Sequence, residues 1–286
     1  MNFRKNVVLK KAWRYGAAVP RAFSSATARP SAWRQNPPVL ANSFPKSGTH
    51  LLQQILSVLP GMKDWGGFWA SQPSFTFREI QPEAMSRRIR RVSPGELVCG
   101  HLYYSDQAKE ALESRHVAHF FIYRDPRDVV VSEAHYLGEM NRWHKLHSRF
   151  SKLPTRAERL LLSIKGLPKE DIYYPNIVER FSRFTQWIED PNVCSISYED
   201  LISENKYQTI EKIIKFYCSR SGYDYPVEAL IQRACEAIQP SKSHTFRRGG
   251  SGGWKSEFDG GVKELFKQIG GAELVMKLGY EKSVEW

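Results

Sequence analysis

The sequence predicts an α/β protein, a single domain whose mostly parallel central sheet carries helices on both faces. Three observations carry that expectation. Short apolar runs of strand length alternate with helical patterns along the chain, which is how strand-helix-strand units are written. Two of those runs pass through a tight turn straight into a helix, leaving charged residues at the junction. Finally, 286 residues with 41% hydrophobic and 25% charged content are ample for a large core, and no internal repeat or linker divides them.

The chain opens without acid. Its first acidic residue is Asp64, whereas Arg4, Lys5, Lys10, Lys11, Arg14, Arg21, Arg29 and Arg34 lie among Ser, Ala and Thr. Residues 1–36 are therefore expected to form a flexible basic arm ahead of a domain spanning 37–286. The same composition fits an organellar presequence around Arg21-Ala22-Phe23-Ser24-Ser25. No apolar run reaches the length of a membrane span.

Val39 to Phe44 then reads as a strand, Pro45-Lys46-Ser47-Gly48-Thr49 as a turn, and Leu51, Leu52, Ile55, Leu56 and Leu59 as the apolar face of a helix ended by Pro60-Gly61. Strand, tight loop and helix in that order make an anion cradle. The first N–H groups of the helix lack internal partners and carry the positive end of its dipole. Gly48 permits close approach, Ser47 and Thr49 add hydroxyls, His50 opens the helix, and Lys46 adds a full charge. An ATP or GTP loop needs a glycine upstream and Gly-Lys-Ser/Thr, and here the lysine precedes the glycine. Without further context the turn also reads as an ordinary capped helix start.

The aromatic stretch from Trp65 to Phe77 has no period and reads as a long loop, and Ser86 to Pro94 as an exposed basic segment. Glu96 to Gly100 is a strand running into His101, and Asp106 to Ser114 a helix. Val117 to Tyr123 is the best buried strand, followed by Arg124-Asp125-Pro126-Arg127-Asp128 and a helix for which Pro126 suits the first turn. Glu139 to Pro175, with Trp143, His144 and His147, looks like an insertion or lid. An amphipathic helix at Ile177 to Ile188 precedes a strand at Val193 to Ser197 ending at Tyr198. Helices at Asn205 to Cys218 and Pro226 to Ile238, a basic glycine-rich loop at Arg247 to Trp254, and one last helix at Val262 to Leu278 complete the chain. In a parallel sheet ligands sit beyond the carboxyl ends of the strands. Lys46, His101, Arg124 and Tyr198 should therefore meet on one edge.

The net charge of +12, from 42 basic and 30 acidic residues, points to anionic ligands without choosing among a nucleotide, RNA and a membrane surface. Cys99, Cys194, Cys218 and Cys235 show neither CxxC nor histidine spacing, which argues against a zinc site and a disulfide framework and favours a reducing compartment.

Four segments in order resemble the cytosolic sulfotransferases: Phe44 to Thr49, Gly100-His101-Leu102, Tyr123 to Ser132, and Arg247-Arg248-Gly249 with Gly253-Trp254-Lys255. The resemblance implies a P-loop-like fold and the donor 3′-phosphoadenosine 5′-phosphosulfate, with no metal. It makes Lys46 and His101 catalytic. Lys46, Ser47, Gly48, Thr49 and His50 would hold the 5′-phosphosulfate, Arg124, Ser132, Arg247, Arg248 and Gly249 the 3′-phosphate, and Tyr198 the adenine. Chemistry agrees: sulfuryl transfer asks for alignment and charge stabilisation, and histidine suits proton removal from an acceptor. A small, partly apolar acceptor bearing a hydroxyl or amine is expected, with a cytoplasmic location (or an organellar one, if the basic N-terminus directs it) and no nucleic acid partner. Departures are visible too. Leu51 stands where the family has an adenine-stacking tryptophan, leaving Phe246 as a substitute, and Tyr103-Tyr104 follow His101-Leu102 in place of proline. Asp259 and Gly260 interrupt the family's dimer motif, so the oligomeric state stays open. Taken singly, His101 could be structural, Arg124 a partner of Asp125 or Asp128, and Arg247-Arg248 an exposed loop. An ATP-dependent phosphotransferase and a salt-sensitive nucleic acid binder are the alternatives.

Overall fold

The computed structural model describes residues 21, 23–168, 172–222, 225–238 and 250–286. Its core is a five-stranded sheet in the order β2-β3-β1-β4-β5, where β1 is Val39–Ser43, β2 Lys63–Ala70, β3 Glu96–His101, β4 Ala118–Tyr123 and β5 Val193–Ser197. Every pairing is parallel. Side chains alternate across it as strand geometry requires. Leu40, Val98 and Phe121 enter one core, with helices Pro82–Ile89, Asp106–Ser114, Pro126–His135 and Ile177–Glu189. Val39, Ala41, Cys99, Phe120, Ile122 and Ile196 enter the other, against helices Thr49–Leu56, Lys206–Arg220 and Val227–Ala237.

β1 is central and its chain leaves toward β2, whereas the chain leaving β4 runs to β5. Neighbouring strands whose connections depart in opposite directions open a crevice at their carboxyl ends. The Pro45–Thr49 turn and Arg124 flank it.

Three expectations change. Trp65 to Phe77 is not all loop, because its first part is the edge strand β2. Gly66 in a left-handed conformation (φ 69°) and a register shift between Lys63 and Gly67 break the alternation that would have signalled it. Ser86 to Pro94 is partly inside: Ser86 and Ile89 sit on the buried face of a helix, and Val92 and Ser93 are buried behind it. The last helix is two, Gly260–Gln268 and Gly271–Lys277, broken at Gly270 (φ 86°). The segment suspected of being an insertion contains helices His147–Ser151 and Arg156–Lys165 and contributes to a small core of Leu137, Leu146, Phe150 and Tyr174.

Part of the N-terminal region packs against the sheet. Trp33 is buried and its indole donates to Val92 O at 3.0 Å. Arg21 pairs at 2.8 Å with Glu96, whose side chain has no exposure. Burial pushes the Glu96 carboxyl up, and the Ser93 N–H and Arg21 pull against that shift. Among the described residues no helix is long and apolar enough to cross a membrane.

Candidate functional site

The turn after β1 is built for an anion. Lys46 and Gly48 both take left-handed backbone conformations (φ 71° and 102°), and Gly48 caps the Thr49–Leu56 helix. A Cβ on Gly48 would come within 2.7 Å of Tyr198 Cδ2, so glycine is required for space as well as for conformation. Ser47 Oγ is buried with no hydrogen-bond partner among the described residues. An orphaned buried hydroxyl costs free energy unless a ligand satisfies it.

His101 ends β3 beside this turn. Asn42, fully buried in β1, clamps the two strands: its Nδ2 donates to Leu102 O at 3.1 Å and its Oδ1 accepts from Leu102 N at 2.8 Å. His101 Nδ1 lies 3.0 Å from Ser43 O and 3.1 Å from Ser43 Oγ. A carbonyl oxygen only accepts, so Nδ1 carries the proton and Nε2 keeps its lone pair. Ser43 Oγ and Thr49 Oγ1 are 2.6 Å apart. With the serine hydroxyl accepting from His101 and donating to Thr49, the threonine proton is left for an anion in the turn. Burial pulls the His101 imidazole down to about 4, the Ser43 carbonyl opposing it, and nearby His50 and Lys46 lower it further. The ring is therefore neutral at pH 7 and able to accept a proton.

Lys46 Nζ stands 3.8 Å above the Tyr136 ring, where the helix Pro126–His135 widens into a π-turn. Burial lowers its ammonium to about 8; Glu133 raises it and Arg124 lowers it. It stays mostly charged at neutral pH.

Beyond β4 the alternating charges divide their work. Asp125 caps the Pro126–His135 helix and pairs with buried Arg127 at 2.7 Å. Asp128 accepts from the N–H groups of Gly252 and Trp254, fixing the C-terminal loop. Arg124 donates to Gly250 O at 2.9 Å, touches Asp128 at 3.8 Å, and lies 4.5 Å over the Tyr198 ring. Its Nε has no partner among the described residues. The arginine is thus held in place with a donor to spare.

One cavity of about 840 Å³ is lined among others by Lys46, Gly48, Thr49, His50, Leu51, His101, Arg124, Ser132 and Tyr198, whereas Ser47 is buried within the turn and does not line it. Arg247, Arg248, Gly249 and Phe246 lie outside the described residues. Part of the cavity wall is aliphatic, with Leu51, Leu201, Ile202 and Ile238. The side beyond β2 and β3 is aromatic, with Phe68, Phe77, Tyr103, Tyr136, Tyr174 and Phe184.

Sequence reasoning passed over several residues here. Asn42 and Ser43 stood as polar residues inside an apolar run, a signal that they answer to something buried. Glu133, hydrogen-bonded to Arg180, Ser163 and Tyr174 at 2.7, 2.6 and 2.7 Å, carries no local signal because its partners lie 30 to 47 residues away. Among the described residues no cluster of three or more His, Cys, Asp or Glu could hold a metal ion.

The family model of the sulfotransferase domain matches residues 36–277. The chain belongs to that family. As a sulfotransferase it is 22% identical over 222 residues to sulfotransferase 6B1 of Danio rerio, covering 71% of this chain and 69% of that one. It is 23% identical over 251 residues to the 3-alpha-hydroxysteroid sulfotransferase of Cavia porcellus, covering 79% and 80%. The fold is that of mouse sulfotransferase SULT7A1 complexed with PAP (TM-score 0.56, 20% identity, covering 86% of this chain and 85% of that one). It is also that of retinol dehydratase in complex with androsterone and the inactive cofactor PAP (TM-score 0.55, 19% identity, 90% and 84%).

Proposed function

We propose that this sulfotransferase moves a sulfuryl group from 3′-phosphoadenosine 5′-phosphosulfate to a hydroxyl or amine of a small, partly apolar acceptor, by in-line displacement with His101 as base. One observation carries the reading. Lys46 and a His101 held neutral with its Nε2 lone pair available flank the same cavity from adjacent strands.

The residues fit the donor's shape and charge. Ser47 Oγ, Thr49 Oγ1 and the first N–H groups of the Thr49–Leu56 helix would hold the 5′-phosphosulfate. The unpaired Nε of Arg124, with Ser132 on the same unit, would take the 3′-phosphate. Tyr198 and Leu51 border the base end, and the aliphatic wall there stands in for an aromatic stack. When bound, the donor supplies a sulfuryl group attached to a phosphate that leaves readily. Lys46 holds positive charge where negative charge gathers on the departing phosphate. His101 Nε2 removes the acceptor's proton, and its Nδ1–H, tied to Ser43 O, keeps the ring oriented as it becomes charged. The aromatic wall excludes water from the acceptor. The retinol dehydratase neighbour holds androsterone, and a wall of this character suits an acceptor of similar apolarity.

The test is transfer from sulfur-labelled donor to a mixed extract of small molecules, with PAP binding measured beside it. Wild type should bind PAP and transfer label. Lys46→Ala should lose both rate and donor affinity, whereas His101→Ala should lose rate alone, about 100-fold or more. A wild type blind to donor and PAP sinks the reading; an undiminished His101→Ala removes that histidine as base.

A further inference from the structure

Two features of the aromatic half of the cavity speak to what enters it. Glu133 is the one carboxylate lining the cavity among the described residues. It is already used: Arg180 Nη1 reaches both its oxygens at 2.7 Å, and Ser163 Oγ and Tyr174 OH donate to it. Lys46, Arg88, Arg124, Arg180 and Lys206 line the same cavity. An ammonium entering it would meet like charges and no free counterion.

The second feature is His144, which also lines the cavity, with its ring edge-on to Phe77 at 5.5 Å. Its Nδ1 accepts from the Leu146 N–H at 3.1 Å. That bond needs a lone pair on Nδ1, so the ring proton sits on Nε2, the reverse of His101. No hydrogen bond joins Nε2 to any described residue. Burial brings the His144 imidazole down to about 4, Glu133 opposing and His147 assisting, so the ring is a neutral donor. Gln72, by contrast, is engaged: its Nε2 donates to Phe77 O and Tyr173 O, and its Oε1 accepts from Tyr103 OH.

Resting on the sulfotransferase reading above, we propose that the acceptor is a hydroxyl compound that carries no ammonium and has a second oxygen, and that His144 selects it by donating Nε2–H to that oxygen. His101 and His144 then form a complementary pair, one accepting a proton at the reacting hydroxyl and the other offering one to the acceptor's remote end. A site with a fixed donor discriminates against analogues that leave the donor unpaired, and this discrimination is larger than the preference of an apolar wall for one methylene.

The test uses two pairs of phenols matched in shape, 4-ethylphenol with 4-hydroxyacetophenone and 4-benzylphenol with 4-hydroxybenzophenone. Affinity is measured on the PAP-bound protein, and kcat and KM with donor. His144→Asn retains an acceptor for the Leu146 N–H but lacks the remote nitrogen, whereas His144→Gln restores an N–H at similar reach. In at least one pair wild type should favour the ketone. His144→Asn should raise that ketone's KM about tenfold relative to its partner with kcat ratios unchanged, and His144→Gln should recover most of the difference. Comparing ratios between variants cancels the different acidities of the phenols. The proposal is overturned if wild type binds no phenol of the series or favours neither ketone. It is equally overturned if both members of a pair shift together, or if the Gln variant behaves like the Asn one. A wild type that does not bind PAP defeats the donor reading and this one with it, whereas intact PAP binding with an unmoved ketone preference defeats this one alone.

Discussion

Raising the pH should disarm this enzyme before it unfolds it, through Lys46. The ammonium is needed charged and titrates at about 8, chiefly because burial disfavours its charge. For a simple titration it is about nine-tenths charged at pH 7 and about one-eleventh at pH 9, roughly a tenfold loss of the active form. His101 is needed neutral and titrates at about 4, so it imposes the opposite limb far to the acid side. The signs give a plateau from about pH 5 to 7.5, a tenfold fall in kcat/KM for donor by pH 9, and a further tenfold per unit beyond. The assay is steady-state kcat/KM for donor from pH 4 to 10 with an aliphatic alcohol acceptor, whose own hydroxyl does not ionise in that range. Lys46→Arg keeps the charge and removes the titration, so its lower plateau should run level to pH 10. A wild type flat through pH 10, or an arginine variant with the same alkaline fall, refutes the assignment of charge stabilisation to Lys46.

Three substitutions probe the cradle. Ser47→Ala removes a buried hydroxyl that has no partner among the described residues, so Tm should hold or rise by calorimetry while PAP affinity drops about tenfold. Gly48→Ala combines a left-handed backbone with a contact of 2.7 Å to Tyr198, a cost of about 2–4 kcal/mol that should lower Tm by about 5–10 °C and abolish PAP binding. Arg124→Ala should weaken PAP about 100-fold and leave adenosine 5′-monophosphate, which lacks the 3′-phosphate, within threefold by titration calorimetry.

How far the fold could be read from the sequence follows from where its apolar residues sit. β1, β3 and β4 are buried on both faces, so each is a short apolar run ending at a polar turn, and β5 is half-buried with alternating burial; the junctions of these four strands with loops carried Lys46, His101, Arg124 and Tyr198 to one edge. β2 is the exposed edge, with Phe68 at 39% exposure, and its glycines and register shift remove any period. The cradle was readable because its parts are contiguous. What orients His101 was not, since Asn42 and Ser43 act across strands 58 to 60 residues apart. The same holds for Glu133 and Arg180, which meet only because two helices pack. His144 stood in a segment taken for an insertion, and nothing in sequence could say that the Leu146 N–H would decide its tautomer.

The pairing of β1 with β3 separates chemistry from recognition. Lys46 and His101 hang from strands locked in register, Ala41 opposite Cys99 and Asn42 opposite Gly100, and the Asn42 clamp reinforces that lock. Much of the wall proposed to meet the acceptor comes from β2 and from Tyr136, His144, Leu146 and Tyr174, the last two within a minor core of their own. Mutational drift can therefore reshape the pocket's mouth, lengthen it or repolarise it while the reactive pair keeps its spacing. A scaffold partitioned in this way acquires new acceptors by changes to its periphery, and laboratory libraries aimed at altered selectivity belong in β2 and the 136–175 excursion, with β1 and β3 left untouched.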